Sequence, residues 1–272
     1  MSTKLLVSTS KALLAVDLQT QDTKLISEGY GLYYGIARLG DSIFVAARNL
    51  LQWPRRFFPD KRLERPCLLE FDAGLNLVRQ IPIPVPARGL HQIIEHRGVI
   101  YCTCSAEDSV VMFNGKNWCC WYPSDNSEHY GIDKHHFNSL KIEDDVLYLL
   151  AHNNGASEIL SYDLATKSFL EKVQMGKCAH NILRLNGELV TCSSAEGTLV
   201  NTNGIICSTE GFPRGFAELE EHYVVGISAI AQRKRRMQGE SKLEIYSKVD
   251  WQLQKKINLG GYGQVTELFI YS

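Results

Sequence analysis

Four histidines stand at related places along the sequence. His91, His136 and His180 each lie at the start of a predicted strand, in three segments that resemble one another, and His152 follows a strand that pairs with one of these. Neutral imidazole nitrogens are ligands for Zn²⁺ and other transition metals. Imidazole is also well suited to transferring protons near neutral pH. The pattern therefore predicts a histidine site that performs either metal binding or acid–base catalysis, with all four histidines as candidate metal ligands.

Further polar side chains occur at the same strand ends. Tyr34, Arg88 and Arg214 are candidate catalytic residues, because a phenol donates protons and a guanidinium polarises a carboxylate or a carbonyl. The predicted substrate-binding residues of this group are Arg48, Asn49, Glu107, Asn138, Asn153, Asn181 and Glu196. Either glutamate of that set could instead complete a metal shell or hold a histidine tautomer.

Two long segments are expected over the same face as the histidines. Residues 50–66 contain Trp53 and Arg56, which we predict to bind and cover the substrate, and residues 231–242 contain a basic run at 233–236. Cations gathered over a polar site favour an anionic ligand, such as a carboxylate, a phosphate or a sulfate. The alternative for the basic run is a solubilising surface loop.

Internal repetition predicts the elements that would bring these residues together. Six segments, starting at residues 34, 91, 138, 180, 214 and 263, share one pattern of a short turn followed by an apolar strand, and the sixth stops one strand later. Strand-like stretches at 4–7, 12–17 and 24–27 supply the strands that the sixth unit lacks. Units of about 45 residues with four strands match propeller blades. We predict an all-β, six-bladed β-propeller of four-stranded blades, one domain over residues 1–272, closed by pairing of the C-terminal strand with N-terminal strands. A sandwich or a seven-bladed count is the alternative.

Composition narrows the class of partner. The sequence has 29 Lys and Arg against 30 Asp and Glu, a net charge of −1, and this balance argues against nucleic-acid or polybasic membrane binding. No apolar run reaches the roughly 18 residues that a membrane helix needs, and the first apolar stretch is too short for a signal-peptide core. We expect a cytoplasmic protein without a membrane or nucleic-acid partner. A closed propeller leaves few free edges, which favours a monomer.

The repeats resemble the propeller group that includes streptogramin B lyase and the gluconolactonase-like hydrolases. The His-Asn strand starts are similar to those of uncharacterised propellers, and the motifs that carry this likeness are His91-Gln, His136-Phe-Asn138-Ser, Ala151-His152-Asn153 and Ala179-His180-Asn181-Ile. The resemblance implies a divalent metal and a histidine base on this face, with the roles of base and ligand shared among the four histidines.

The function predicted from these features is that of a lyase, or a hydrolase of a strained ester, acting on a small carboxylated anion. His136 or His180 would abstract the proton α to the carboxylate, a metal or an arginine would polarise it, and Tyr34 would protonate the leaving group. One divalent ion, Zn, Mn, Fe or Ni, is the candidate cofactor. The alternatives are a non-catalytic propeller that binds an acidic ligand or partner protein, and a pure assembly scaffold.

Overall fold

The structure is a computed structural model that describes residues 3–49, 64–123, 133–230 and 232–271. Twenty-four strands and one short helix, α1 (Arg233–Arg236), account for its regular elements. The scarcity of helix-period patterns in the sequence agrees with this. No helix within these ranges has the length and the apolar character needed to cross a membrane.

The strands form six antiparallel sheets of four, one for each predicted repeat. The strands of the closing blade and of blades 1 and 2 are β1 (Lys4–Thr9), β2 (Ala12–Asp17), β3 (Thr23–Glu28), β4 (Tyr33–Leu39), β5 (Ser42–Ala47), β6 (Cys67–Phe71), β7 (Leu77–Pro82), β8 (Leu90–His96), β9 (Val99–Cys104), β10 (Ser109–Phe113) and β11 (Trp118–Trp121). Those of blades 3 to 5 and the last strand are β12 (Phe137–Glu143), β13 (Val146–Ala151), β14 (Ala156–Asp163), β15 (Phe169–Lys177), β16 (His180–Leu185), β17 (Glu188–Ser193), β18 (Thr198–Asn201), β19 (Gly204–Ser208), β20 (Phe212–Glu218), β21 (His222–Ser228), β22 (Ser241–Ser247), β23 (Leu253–Gly260) and β24 (Val265–Ile270). The prediction of a six-bladed, four-stranded propeller is confirmed.

The closing blade joins the two ends of the chain. Strand β24 pairs antiparallel with β1, so that Leu6 lies opposite Phe269 and Val7 opposite Leu268, and β2 and β3 complete the sheet. This is the predicted closure. It also seals the edge of the first strand, which would otherwise expose unpaired backbone groups.

The apolar core lies between the blades. Within the described ranges it consists of six clusters, and each fills the space between two neighbouring sheets. The cluster between blades 1 and 2, for example, packs Phe44 and Leu68 against Ile93 and Val111. Because both faces of each inner strand are covered, strands such as β1 and β5 read as nearly continuous apolar runs.

The first strand of every blade lies on the central channel and contacts the first strands of its neighbours. A belt of side-chain hydrogen bonds, made by Gln92, Asn181 and Glu267, crosses this channel. Glu267 accepts from Gln92 Nε2 at 2.7 Å and from Asn181 Nδ2 at 3.2 Å. Gln92 Oε1 accepts from the backbone of Leu140, and Asn181 Oδ1 from the backbone of Gly215. The belt therefore ties five blades together.

Candidate functional site

A cavity of about 400 Å³ lies at the end of the channel where the first strands begin. Residues from all six blades line it. The predicted site residues among them are Tyr34, His91, His136, His152, His180 and Arg214. Propeller geometry thus brings together residues that are 180 positions apart in the sequence.

Aromatic side chains form a continuous row along the wall of this cavity. Successive ring centroids are 4.6, 5.2, 4.9, 5.3 and 5.6 Å apart. The members of this ring row, in order, are Tyr34, His91, His136, His152, His180 and Phe212. The four predicted histidines are therefore neighbours, and Phe212 is a member that the sequence did not indicate.

His136 is held by two aspartates. Its backbone has a φ of 54°, a left-handed conformation that is uncommon for residues other than glycine. The Asp108 carboxylate accepts the backbone N–H groups of Lys134, His135 and His136, at 2.7, 3.0 and 2.8 Å, and so fixes this turn. Asp133 Oδ1 lies 2.7 Å from His136 Nδ1. A carboxylate at Nδ1 places the ring proton there, leaves Nε2 as a base and stabilises the charge that a protonated ring acquires.

We expect Asp108→Ala to loosen the segment that carries His136. Three N–H groups lose their acceptor, and a buried unsatisfied group costs about 1–3 kcal/mol. Hydrogen exchange should show faster exchange of the amides of residues 134–136. Asp22→Ala, at an exposed position, is the matched control and should change neither exchange nor stability. Unchanged protection in Asp108→Ala would contradict the role assigned to this carboxylate.

His180 is buried beside Ser194. The Ser194 hydroxyl donates to the carbonyl of Pro213 at 2.6 Å, so its oxygen accepts from His180 Nδ1, 2.8 Å away. The proton of the neutral ring is thereby assigned to Nδ1, and Nε2 is the acceptor. Burial, followed by the positive charge of Arg214, holds the pKa of His180 well below its ordinary value. His180 is therefore a neutral hydrogen-bond acceptor at pH 7.

His152 has the opposite tautomer. The backbone N–H of Asn154 donates to His152 Nδ1 at 3.1 Å, so the proton of the neutral ring is on Nε2. His152 stands between His136 and His180 in the ring row. The row thus offers a donor flanked by two acceptors.

His91 uses both ring nitrogens within the fold. Nδ1 donates to the carbonyl of Gly89 at 2.6 Å. Arg48 Nη2 lies against the same ring, 3.0 Å from Nδ1 and 3.3 Å from Nε2, and Nε2 is the nitrogen left to accept from it. Burial, and next the charge of Arg48, hold the pKa of His91 well below its ordinary value. These contacts do not favour the metal-ligand role predicted for His91.

Arg48 lies behind the ring row and does not line the cavity. Its side chain is 1% exposed and pairs at 3.4 Å with Glu64, which is also buried. It donates to the carbonyl of Leu90 and stacks over Tyr34, with Cζ 4.5 Å from the ring centroid. Glu64 in turn accepts the backbone N–H of Gly89 at 2.7 Å. Arg48 forms a structural pair that joins blades 1 and 2, and these contacts do not favour the substrate-binding role predicted for it.

Among the described residues, two arginines line the cavity. Arg214, in β20, has its guanidinium carbon 5.0 Å from the centroid of Tyr34. Arg236, at the end of α1, stacks on Phe212 at 3.7 Å. No carboxylate of the described residues lines the cavity, so the surroundings favour an anion.

Other predicted site residues lie elsewhere. Arg88, Asn49 and Glu107 line a separate cavity of about 580 Å³ next to blade 1, where Arg88 pairs with Glu107. Four other predicted residues make hydrogen bonds within the fold. Asn138 donates to the carbonyl of Ala179, and Asn153 donates to that of Ala156. Asn181 belongs to the channel belt, and Glu196 accepts from the Ser193 hydroxyl. Trp53 and Arg56 lie outside the described residues.

Three polar residues of this region were not predicted. Asp133 precedes His136 by three positions, and this spacing was the available signal. Ser194 directly follows Ser193, the last residue of strand β17. Glu267 lies in the last strand, β24, and faces the channel. Burial raises the pKa of Glu267 to about 7.

Metal binding stays a prediction. Within the described ranges, no group of three or more His, Cys, Asp or Glu side chains is arranged to hold a metal ion. The imidazoles contact one another in a row, whereas ligands of one ion must converge on one point.

Fold and site together define a six-bladed β-propeller with a cationic, histidine-lined cavity at one end of its channel. Two solved structures are similar over nearly the whole chain. The crystal structure of a nidogen/laminin complex has a TM-score of 0.67 and 9% identity, and covers 99% of this chain and 98% of its own. A protein of unknown function from Bacteroides caccae has a TM-score of 0.68 and 11% identity, with 98% of each chain covered. At these identities the likeness shows the fold alone. No protein-family model and no curated protein sequence matches this chain.

Proposed function

We propose that the protein binds a small carboxylate in this cavity and acts on it as a lyase or a hydrolase, with His136 as the base. The observation that carries the proposal is that His136, which pairs with Asp133, lines a cavity that Arg214 also lines. A carboxylate-oriented imidazole is a general base, and a guanidinium binds and polarises a carboxylate. His136 is preferred to His180 because Asp133 stabilises the proton that the base takes up.

In the lyase reaction, Arg214 binds the carboxylate and His136 takes the proton from the α-carbon. The electron pair of that C–H bond forms the new double bond, and the bond between the β-carbon and the leaving group breaks. Tyr34 protonates the leaving group, and both residues then exchange protons with solvent. In the hydrolase reaction, His136 instead takes a proton from a water that attacks a strained ester carbonyl polarised by Arg214. The acyl C–O bond then breaks, and the leaving alkoxide takes the proton from His136.

Proton exchange on simple carboxylic acids tests the proposal, because it reports the base directly and needs no leaving group. Malate and 3-hydroxybutyrate are incubated with the protein in D₂O, and loss of the α-proton signal is followed by NMR; hydrolysis of glucono-1,5-lactone is followed with a pH indicator. We expect His136→Gln to slow α-proton exchange by about 100-fold. We expect Arg214→Met to weaken binding of the acids about tenfold or more, measured by calorimetry.

Arg88→Met is the matched control. It removes a guanidinium that the sequence also predicted to polarise the substrate, but that lies at the separate cavity, so affinity and exchange should match the unmodified protein. Absence of binding to every probe, or an affinity that Arg214→Met leaves unchanged, would contradict the proposal.

The alternative is a propeller that binds its ligand without chemistry. The contacts of His91, whose nitrogens both serve the fold, favour it. Binding of a probe acid without α-proton exchange, and without lactone hydrolysis, would select this alternative.

The proposal has two further parts. One is a bound divalent metal, Zn, Mn, Fe or Ni, and the other is membership of the streptogramin lyase and gluconolactonase-like group. What supports the metal is the type of donor, since four imidazoles line one cavity, and not their arrangement in a row. Elemental analysis of protein purified without chelator tests it. About one equivalent of metal in the unmodified protein that is absent from the His136→Ala/His180→Ala double variant would support a metal site. Equal metal content in these two proteins would contradict it.

A further inference from the structure

We propose that His180 recognises a hydroxyl group of the ligand, and that the ligand of the cavity is therefore a hydroxy acid. The inference rests on the function proposed above and deepens it, because it names a second chemical group on the small carboxylate. His180 thereby becomes a specificity-determining residue, whereas the base of that function is His136. Ser194 is the residue that positions the His180 ring.

The ring of His180 has one nitrogen inside the fold and one at the cavity. Nδ1 lies 2.8 Å from the Ser194 hydroxyl oxygen, and both side chains are buried. Nε2 has no hydrogen-bond partner among the described residues, but it is not sealed from solvent either. Since His180 lines the cavity, Nε2 faces that space. A buried side chain with such an atom takes its partner from a ligand or from water.

Ser194 decides what this nitrogen can bind. Its hydroxyl has one proton, which it donates to the carbonyl of Pro213 at 2.6 Å, while a second backbone acceptor, the carbonyl of Cys192, is 3.3 Å away. With that proton in use, the oxygen accepts from His180, whose ring proton is then on Nδ1. Nε2 therefore carries a lone pair and can only accept. It disfavours a ligand carboxylate oxygen, which is itself an acceptor, and favours a ligand donor.

The surroundings of His180 favour a neutral donor. Burial, followed by the positive charge of Arg214, holds the pKa of His180 well below its ordinary value, so the ring stays neutral at pH 7. The same positive charge repels a ligand ammonium group, and the Asp133 carboxylate lies beside His136, two rings away in the ring row. Among neutral donors, an amide brings a carbonyl oxygen that needs a donor of its own, whereas a hydroxyl is satisfied by donating its proton.

Butyrate and its 2-, 3- and 4-hydroxy derivatives provide the first test, because they share one carbon chain and one carboxylate. The methyl ether of each hydroxy acid keeps the oxygen but cannot donate a hydrogen bond, and malonamate carries an amide donor instead. Calorimetry, with and without EDTA, measures the affinity of each acid for the unmodified protein, for His180→Phe and for His222→Phe. His222 is the matched control, since it begins β21 and does not line the cavity.

We expect the unmodified protein and His222→Phe to bind one hydroxybutyrate at least about tenfold more tightly than butyrate and than its own methyl ether. His180→Phe should bind these three compounds equally. Equal binding by the unmodified protein, a preference that survives in His180→Phe, or tighter binding of malonamate would overturn the inference while leaving the proposed function intact. A preference that EDTA abolishes would also overturn it, since a metal would then hold the nitrogen. Failure of every acid to bind would overturn both.

The tautomer of His180 is tested without any ligand. In protein with isotope-labelled histidines, two-bond proton–nitrogen NMR spectra distinguish an Nδ1–H ring from an Nε2–H ring, and the signals that His180→Phe loses belong to His180. We expect the Nδ1–H pattern in the unmodified protein and in Ser208→Ala, and its loss in Ser194→Ala, which removes the acceptor of Nδ1. Ser208 is exposed in the same blade and is the matched control. An Nε2–H ring in the unmodified protein would overturn the inference, whichever acids bind.

Discussion

Arg48→Met should destabilise the protein by about 3–5 kcal/mol, the cost of leaving one member of a buried ion pair without its partner. Of its donors among the described residues, Glu64 would keep the backbone N–H of Gly89, and its charge would remain in the interior. The substitution also removes the donors to the carbonyl of Leu90 and to His91. Because these contacts join blades 1 and 2, the loss should appear as lower global stability.

Urea unfolding measures this effect. Arg79→Met is the matched control: Arg79 pairs with Glu70 at 2.5 Å, but its side chain is 58% exposed, and such pairs contribute about 0–1 kcal/mol. The double variant Arg48→Met/Glu64→Gln should recover part of the lost stability, since it removes the uncompensated charge. If Arg48→Met costs no more than Arg79→Met, the buried pair does not have the role assigned to it.

Acidification below pH 6.5 should lower the free energy of unfolding. His91 and His180 have folded-state pKa values well below 6.5, so below that pH the unfolded chain binds protons that the folded protein does not. Each such group removes up to about 1.4 kcal/mol of stability per pH unit. Glu267 acts in the opposite direction between pH 4.5 and about 7, because its carboxyl stays protonated in the fold while it ionises in the unfolded chain.

Variants separate these opposing contributions. Between pH 5 and 6.5, the three groups together give a net loss of up to about 1.4 kcal/mol per unit of acidification. Glu267→Gln removes the opposing group and should double that slope, whereas His180→Gln should reduce it to near zero. Unfolding by urea at pH 5, 6, 7 and 8 measures the slopes, and equal slopes in all three proteins would contradict the assignment. Paired surface carboxylates such as Glu210, whose pKa is lowered to about 2 by Lys242 and Lys256, add their loss only below pH 4.5.

The fold could be predicted because the sequence itself contains six repeats of one pattern. Turn residues such as Asn186-Gly187, both with positive φ, mark hairpins at one place in each unit. Since first strands must line the channel, the positions of His91, His136 and His180 followed from the repeat pattern alone. Their convergence on one cavity required only that the blades close.

The remainder of the site could not be read in this way, because it depends on contacts between irregular segments. Arg48 was predicted to bind substrate, but it points behind the ring row to Glu64, which is 16 residues away in sequence. The side-chain amides of Asn138 and Asn181 form hydrogen bonds with backbone groups of neighbouring blades. The pattern of a single repeat does not show which backbone groups need such a partner. The spacing of Asp133 and His136 was a signal in the sequence, but their contact depends on the turn that the Asp108 carboxylate fixes.

The joining of the two chain ends in one sheet has a consequence for biosynthesis. Thr266 of the last strand and Gln264 just before that strand line the cavity, and Ser10, which follows the first strand, anchors the loop that carries Arg236. Domains can begin to fold while the ribosome is still adding residues. Here the sheet of β1–β3 is complete only when β24 pairs with β1. A nascent chain can therefore stack blades 1 to 5, but it cannot assemble a complete cavity until the last strand has left the exit tunnel. The site would therefore form late, and in a single event, after synthesis of its final strand.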